Sequence, residues 1–198
     1  MSISAADVKK LRDRTAAGMM DCKRALAETD GDMEKAIEYL RKEGIAKAVK
    51  KGERSANQGL VHCYMHPGNK GAALVEVNCE TDFVAKTDEF ARLASELAMH
   101  IYAAAPDYVT DDEVPEGVLE SERKIYREQT LKEGKPENIV DKIVEGRLKK
   151  FYEERCLINQ KYVRDDSKTI DDLIKEAIAK VGENIKVGRF ARIKVGES

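Results

Sequence analysis

The chain has 198 residues, 42 % of them hydrophobic and 36 % charged, which is enough apolar material for one or two packed domains beneath a heavily charged surface. With 35 Lys and Arg against 37 Asp and Glu, the formal net charge is -2, so bulk electrostatics offer no pull on a polyanion such as nucleic acid. There is no apolar run of about 18 residues and no basic segment leading into an apolar stretch, so a soluble, cytoplasmic protein with no membrane partner is expected.

Three short helices are expected over residues 1–45. Ser4 can cap the first, with Asp7 in its first turn and Val8, Leu11 and Thr15 at helical spacing. Gly18-Met19-Met20 breaks that pattern. Asp21 opens a second helix with Cys22, Ala25 and Leu26 on one face, and Asp30-Gly31 makes a turn. Asp32 can cap a third helix carrying Met33, Ala36, Ile37 and Leu40, with Gly44 as its stop. Residues 46–58 are a basic linker holding Lys47, Lys50, Lys51 and Arg54. It reads most economically as a tether, with some helical character in its first half.

Residues 59–198 predict a core of mixed elements. Residues 60–65 and 72–78 read as strands, the second buried, joined by the turn Pro67-Gly-Asn-Lys70. Thr87 caps a helix over residues 88–105 whose buried stripe is Phe90, Leu93, Leu97 and Ile101, and Pro106 stops it. An acidic, turn-like stretch follows. A helical segment then covers about 116–157 as two helices joined by Glu133-Gly-Lys-Pro136. Its charged helical character extends to Tyr162, with Ile139, Ile143, Leu148 and Phe151 as its apolar side. Residues 171–180 form a last helix. Residues 185–195 alternate as a strand able to extend the hairpin into a small antiparallel sheet. The fold class is α+β: a three-helix module, then helices around that sheet.

Cys22, Cys63, Cys79 and Cys156 are widely spaced without a C-x-x-C pair, as expected of reduced thiols packed as small hydrophobes. A zinc site from His62, Cys63, His66 and Cys79 is disfavoured, because on a strand His62 and His66 share one face while Cys63 points to the other. His100 lies within an apolar helix and reads as structural.

Thr81-Asp82-Phe83-Val84 stands out. A carboxylate and a bare aromatic ring between a strand and a helix make a poor core, and loops carried by rigid elements are where function concentrates. On the residues alone, Asp82 reads equally as a turn or cap residue and Phe83 as a core ring. The run Val75-Glu-Val-Asn-Cys-Glu-Thr-Asp-Phe-Val-Ala-Lys86 resembles a signature of the elongation factor Ts family, the bacterial exchange factors for the translation GTPase elongation factor Tu. Leu11-Arg-Asp-Arg-Thr-Ala-Ala-Gly-Met-Met-Asp-Cys-Lys-Arg-Ala-Leu26 resembles the family's other signature, with Ala16 where Gly is frequent. The two blocks follow the family's order and spacing. Looser similarity continues through residues 137–147 and 182–190.

The resemblance implies a fold whose N-terminal module is of the ubiquitin-associated three-helix type and docks on elongation factor Tu. It implies that Thr81, Asp82, Phe83 and Val84 insert beside the GTPase's nucleotide site and dislocate its magnesium ion, and that Arg12, Met19 and Met20, with Lys51 in the linker, bind the partner. GDP, GTP and magnesium belong to that partner, so the chain needs no cofactor of its own. Because the chain is short for the family, a homodimer is expected, through the strand near Phe190 and the helix stripe Leu173, Ile174, Ala177 and Ile178.

Rival classes explain less. The sequence has no G-x-S-x-G, no Walker A and no H-E-x-x-H, which argues against bond-making chemistry of its own. For RNA binding, the basic linker and Phe190-Ala-Arg192 are a weak stripe without a stacking platform. A plain ubiquitin-associated-type adaptor leaves Thr81-Asp-Phe-Val unexplained.

Overall fold

Side-chain caps start the first and third helices. In the computed structural model, which describes residues 3–15 and 17–197, Ser4 Oγ accepts the Asp7 amide at 3.1 Å ahead of α1 (Ala5–Thr15). Gly18 precedes α2 (Met19–Glu28), which leaves Asp21 inside the first turn and not at its opening. Asp32 Oδ1 accepts the Glu34 and Lys35 amides, each at 3.1 Å, at the head of α3 (Met33–Lys51). Ala16, noted above for its departure from the family pattern, lies outside the described residues.

The remaining elements are β1 (Gln58–Met65), β2 (Gly71–Cys79), α4 (Asp82–Ala85), α5 (Asp88–Ala104), α6 (Glu116–Lys132), α7 (Glu137–Arg155), β3 (Lys161–Tyr162), β4 (Asp165–Thr169), α8 (Ile170–Val181) and β5 (Ile185–Lys194). The first hairpin closes through the His66 amide on Gly71 O at 2.9 Å. Strand β5 joins it in a small antiparallel sheet of order β1-β2-β5, so the α+β expectation holds. Strand β2 is central, yet only its face of Ala73, Val75, Val77 and Cys79 is buried, while Leu74 is exposed. It is therefore half-buried and not covered on both faces.

The chain divides into two units. The first comprises residues 1–60, 77–94 and 172–186. Its three-helix core packs Val8 and Leu11 of α1, Cys22, Ala25 and Leu26 of α2, and Ala36 of α3. Helix α3 does not stop at Gly44. It runs seven residues further to Lys51 because Gly44 lies against α8, where an added Cβ would come within 2.9 Å of Ala179 Cβ. The glycine is there for close approach and not to end a helix. Arg41 reinforces the pairing with Glu176 at 3.2 Å.

The second unit comprises residues 61–76, 95–171 and 187–198. Its α6–α7 hairpin buries Val140, Val144 and Leu148 with Leu119 and Val114. The inward register of α7 is thus one residue on from the expected Ile139 and Ile143, while Leu148 is common to both. The α-helix ends at Arg155, and only a short 3-10 turn at Leu157–Asn159 follows before Tyr162, which is not helical. The Asp107 amide takes Arg155 O at 2.9 Å, Cys156 turns extended, and the Leu157 amide bonds Tyr108 O at 2.9 Å. Tyr162 instead pairs with Asp165 in the antiparallel β3–β4 hairpin, an element no local pattern suggested.

His100 is fully buried, as a structural role requires. Its Nδ1 accepts the Val163 amide at 3.3 Å, which leaves Nε2–H to donate to Gln160 Oε1 at 2.9 Å. Burial pushes its pKa below the usual histidine value, against a smaller upward pull from the Gln160 bond. Among the described residues no helix is long and apolar enough to cross a membrane.

Candidate functional site

Strand β2 ends at Cys79, and three residues later the chain enters α4, a single turn of four residues. Thr81 is its N-cap, with backbone φ -129° and ψ 156° and a long bond from the Val84 amide at 3.4 Å. No α4 residue is buried. Phe83 is 80 % exposed, the most exposed of the large hydrophobic side chains described. Asp82 is exposed beside it and pairs with Lys86 one turn on at 2.7 Å. That bond, and the ammonium charge behind it, holds the Asp82 carboxyl below its ordinary pKa. The site presents an ionised carboxylate and an unburied aromatic ring side by side.

Something other than a core must hold so short a helix, since one isolated turn is unstable in water. The Thr81 amide donates to Glu183 Oε2 at 2.9 Å and its hydroxyl to Glu183 Oε1 at 2.7 Å. One residue along on each segment, the Asn184 amide donates to Glu80 Oε1 at 2.7 Å. That amide, followed by the Arg54 guanidinium, keeps the Glu80 carboxyl below its usual range. The neighbouring Cys79 thiol donates to Thr81 O at 3.1 Å, and burial, helped by the Glu183 charge, raises its pKa. It is a packed thiol, not an activated one.

The partner-binding candidates fall on the same unit as the turn. Arg12 is exposed on α1, and Met19 and Met20 open α2 with 47 % and 74 % of their surfaces exposed. Two exposed methionines at a helix start offer an adaptable apolar contact. Lys51, the last residue of α3, donates from Nζ to Gly182 O at 2.6 Å, so its ammonium already serves the C-terminal end of α8.

Glu80, Glu183 and Asn184 were not among the sequence candidates. Glu80 lay within the signature run of residues 75–86 without being singled out, and the only pointer to Glu183 and Asn184 was the looser family similarity over residues 182–190. Among the described residues no group of three or more His, Cys, Asp and Glu is placed to hold a metal. Cys63 is exposed and Cys79 buried.

A family model described as Elongation factor TS matches residues 6–197. The chain is 58 % identical over 195 residues to elongation factor Ts of Thermoanaerobacter sp. (strain X514), covering 98 % of this chain and 96 % of that one. It is equally 58 % identical over 195 residues to elongation factor Ts of Moorella thermoacetica, with the same coverage. Elongation factor Ts of Fervidobacterium nodosum is 55 % identical over 197 residues and the full length of both chains.

Proposed function

The chain belongs to the elongation factor Ts family, and on that premise we propose that it is a guanine nucleotide exchange factor for elongation factor Tu, promoting GDP release so that GTP can bind. It makes and breaks no bonds. It works in the cytoplasm with a partner that supplies the nucleotide and its magnesium ion. The observation that carries the reading is Phe83, a large aromatic ring left exposed beside an ionised Asp82 on a hydrogen-bonded turn.

A P-loop GTPase grips GDP through backbone amides around the phosphates and through the metal. Thr81, Asp82, Phe83 and Val84 are the wedge. Phe83 enters between side chains that place the magnesium ligands, and Asp82 competes for hydrogen bonds beside them. With the ion dislocated, the phosphates lose their main counter-charge. A thousandfold acceleration needs about 4 kcal/mol, whereas burying one aromatic ring supplies roughly 2–3 kcal/mol. The wedge therefore needs a docking surface behind it. We assign this to the three-helix module of residues 1–45 with the basic segment 46–58 behind it, using Arg12, Met19, Met20 and Lys51, while residues 59–198 form the core. Exposure of Arg12, Met19 and Met20 supports this assignment.

A homodimer completes the proposal. The stripe Leu173, Ile174, Ala177 and Ile178 is buried within the chain, so it cannot be the contact. Val61, Met65, Leu74, Ile193 and Val195 on and beside strands β1, β2 and β5 are all exposed and supply apolar surface for a second copy.

The function is tested by release of a fluorescent GDP from purified elongation factor Tu with and without the chain. Accelerated release, and dissociation of the complex by excess GDP with magnesium, is expected by linkage. Unchanged release at saturating chain would end the exchange reading.

A further inference from the structure

We propose that Glu183 is a positioning residue for exchange: from the loop after α8 it sets the geometry in which the turn presents Asp82 and Phe83. The inference rests on the wedge reading above and concerns how the wedge is held.

Three features lead to it. First, α4 has no buried residue, and its own bonds, such as the 3.4 Å cap bond and the Ala85 amide to Thr81 O at 3.3 Å, reach only a few residues along the chain, so they close the turn without tying it to a distant segment. Second, Glu183 takes both donors of the cap residue, the Thr81 amide at 2.9 Å and its hydroxyl at 2.7 Å, one carboxylate oxygen for each. Two charge-assisted bonds to one residue define its orientation as well as its place. Third, Glu183 is itself anchored on both sides. Gly182 takes the left-handed φ of 83° needed to end α8, its amide bonding Ile178 O at 2.9 Å. Asn184 is buried, and its side-chain amide donates to Arg54 O at 2.7 Å and Gly52 O at 3.3 Å, while its backbone amide bonds Glu80.

The two segments therefore exchange carboxylates: Glu183 reaches to the Thr81 amide and Glu80 reaches back to the Asn184 amide. The same loop holds the chain just past α3 through Gly52 and Arg54. The end of the docking module and the start of the wedge are thus referred to one three-residue joint. Without Glu183 the turn would sample orientations in which Phe83 misses its target, and misplacement by about 1 Å is enough to cost on the order of a hundredfold in rate.

The test compares the full chain with Glu183→Ala, Phe83→Ala and the double variant. Fluorescent GDP release from elongation factor Tu is followed over a titration of each. Glu183→Ala should lower the maximal release rate by about tenfold to a hundredfold while the concentration for half-maximal effect stays within about threefold. In the Phe83→Ala background the same change should do little more, because a misdirected turn no longer carries the ring. Hydrogen–deuterium exchange of the chain alone should show residues 81–86 losing protection. Glu183→Gln, which keeps the shape and one acceptor, should be intermediate, and it replaces the alanine variant should that fail to fold. Additive losses in the double variant, a loss of binding at unchanged maximal rate, or unaltered protection of residues 81–86 would each overturn the proposal. If Phe83→Ala alone leaves release unchanged, the wedge reading itself falls and this inference with it. If Phe83→Ala slows release but Glu183→Ala does not, only the positioning role falls.

Discussion

Phe83 and Phe90 lie seven residues apart and meet opposite fates. Phe90 is fully buried, on the inward stripe of α5 with Leu93, Leu97 and Ile101, behind a cap bond from its own amide to Thr87 Oγ1 at 3.3 Å. Phe83 stands in solvent on a one-turn helix held by the Glu183 carboxylate, 102 positions after Thr81 in sequence. A chain of this size has ample core to take in one more ring, so exposure of Phe83 is a property of where α4 is pinned and not a shortage of interior. On the proposed function, the pair separates aromatic surface that stabilises the fold from aromatic surface kept for a partner.

Substitution should pull the two apart. Phe90→Ala should cost about 3–5 kcal/mol of folding stability, read by urea denaturation, because it opens a cavity in a packed stripe. Phe83→Ala should change stability by no more than about 0.5 kcal/mol, yet slow GDP release from elongation factor Tu by roughly thirty- to a hundred-and-sixtyfold, the worth of about 2–3 kcal/mol of aromatic burial at the partner. Comparable stability losses in both variants would mean that Phe83 is core after all.

His100, further along α5, sharpens the contrast by adding a polar group to the buried side. Its folded pKa lies below the ordinary 6.5. Between those two values the unfolded chain binds more protons, so the stability His100 contributes is complete above about pH 6.5 and is lost as pH falls towards the folded value. Denaturation at pH 7.5 and 5.5 should show a loss in the natural chain, with a slope of at most about 1.4 kcal/mol per pH unit from this group, and a smaller loss in His100→Gln. An equal loss in both would place the titrating group elsewhere.

The smallest effect is expected at the other extreme of exposure. Lys86→Ala removes the partner of Asp82 on the open turn. Thermal unfolding should not register it, since exposed pairs are screened by water. The Asp82 carboxyl should nevertheless titrate closer to its ordinary value, upward from its present one, in an NMR titration. A carboxyl that does not move would show that Lys86 is not what keeps it ionised.

These contrasts follow how far each feature reaches along the chain. Ser4, Asp32 and Thr87 announce helix starts because a cap bonds an amide only two or three residues away. The stripe of α5 shows in the 3.6-residue period, and the hairpin between β1 and β2 in its turn residues. The candidate turn was legible too, as a motif that makes a poor core and matches a family signature. What lay beyond local reading is what distant segments decide. Gly44 looks like a helix stop until α8, about 135 residues later, turns out to need its missing Cβ. The register of α7 follows from where α6 lies, and the chain leaves α7 where residues 107–109 bond residues 155–158, ahead of the β3–β4 hairpin. The buried stripe of α8 was readable, but not that the chain itself covers it. Glu183 sits 102 positions from the Thr81 it holds. The sequence by itself determined the family, the α+β class, most helix caps and the position of the candidate turn, all encoded within a few neighbouring residues. Only the tertiary structure decided what holds that turn out in solvent, because hydrogen bonds between segments a hundred residues apart leave no local period to read.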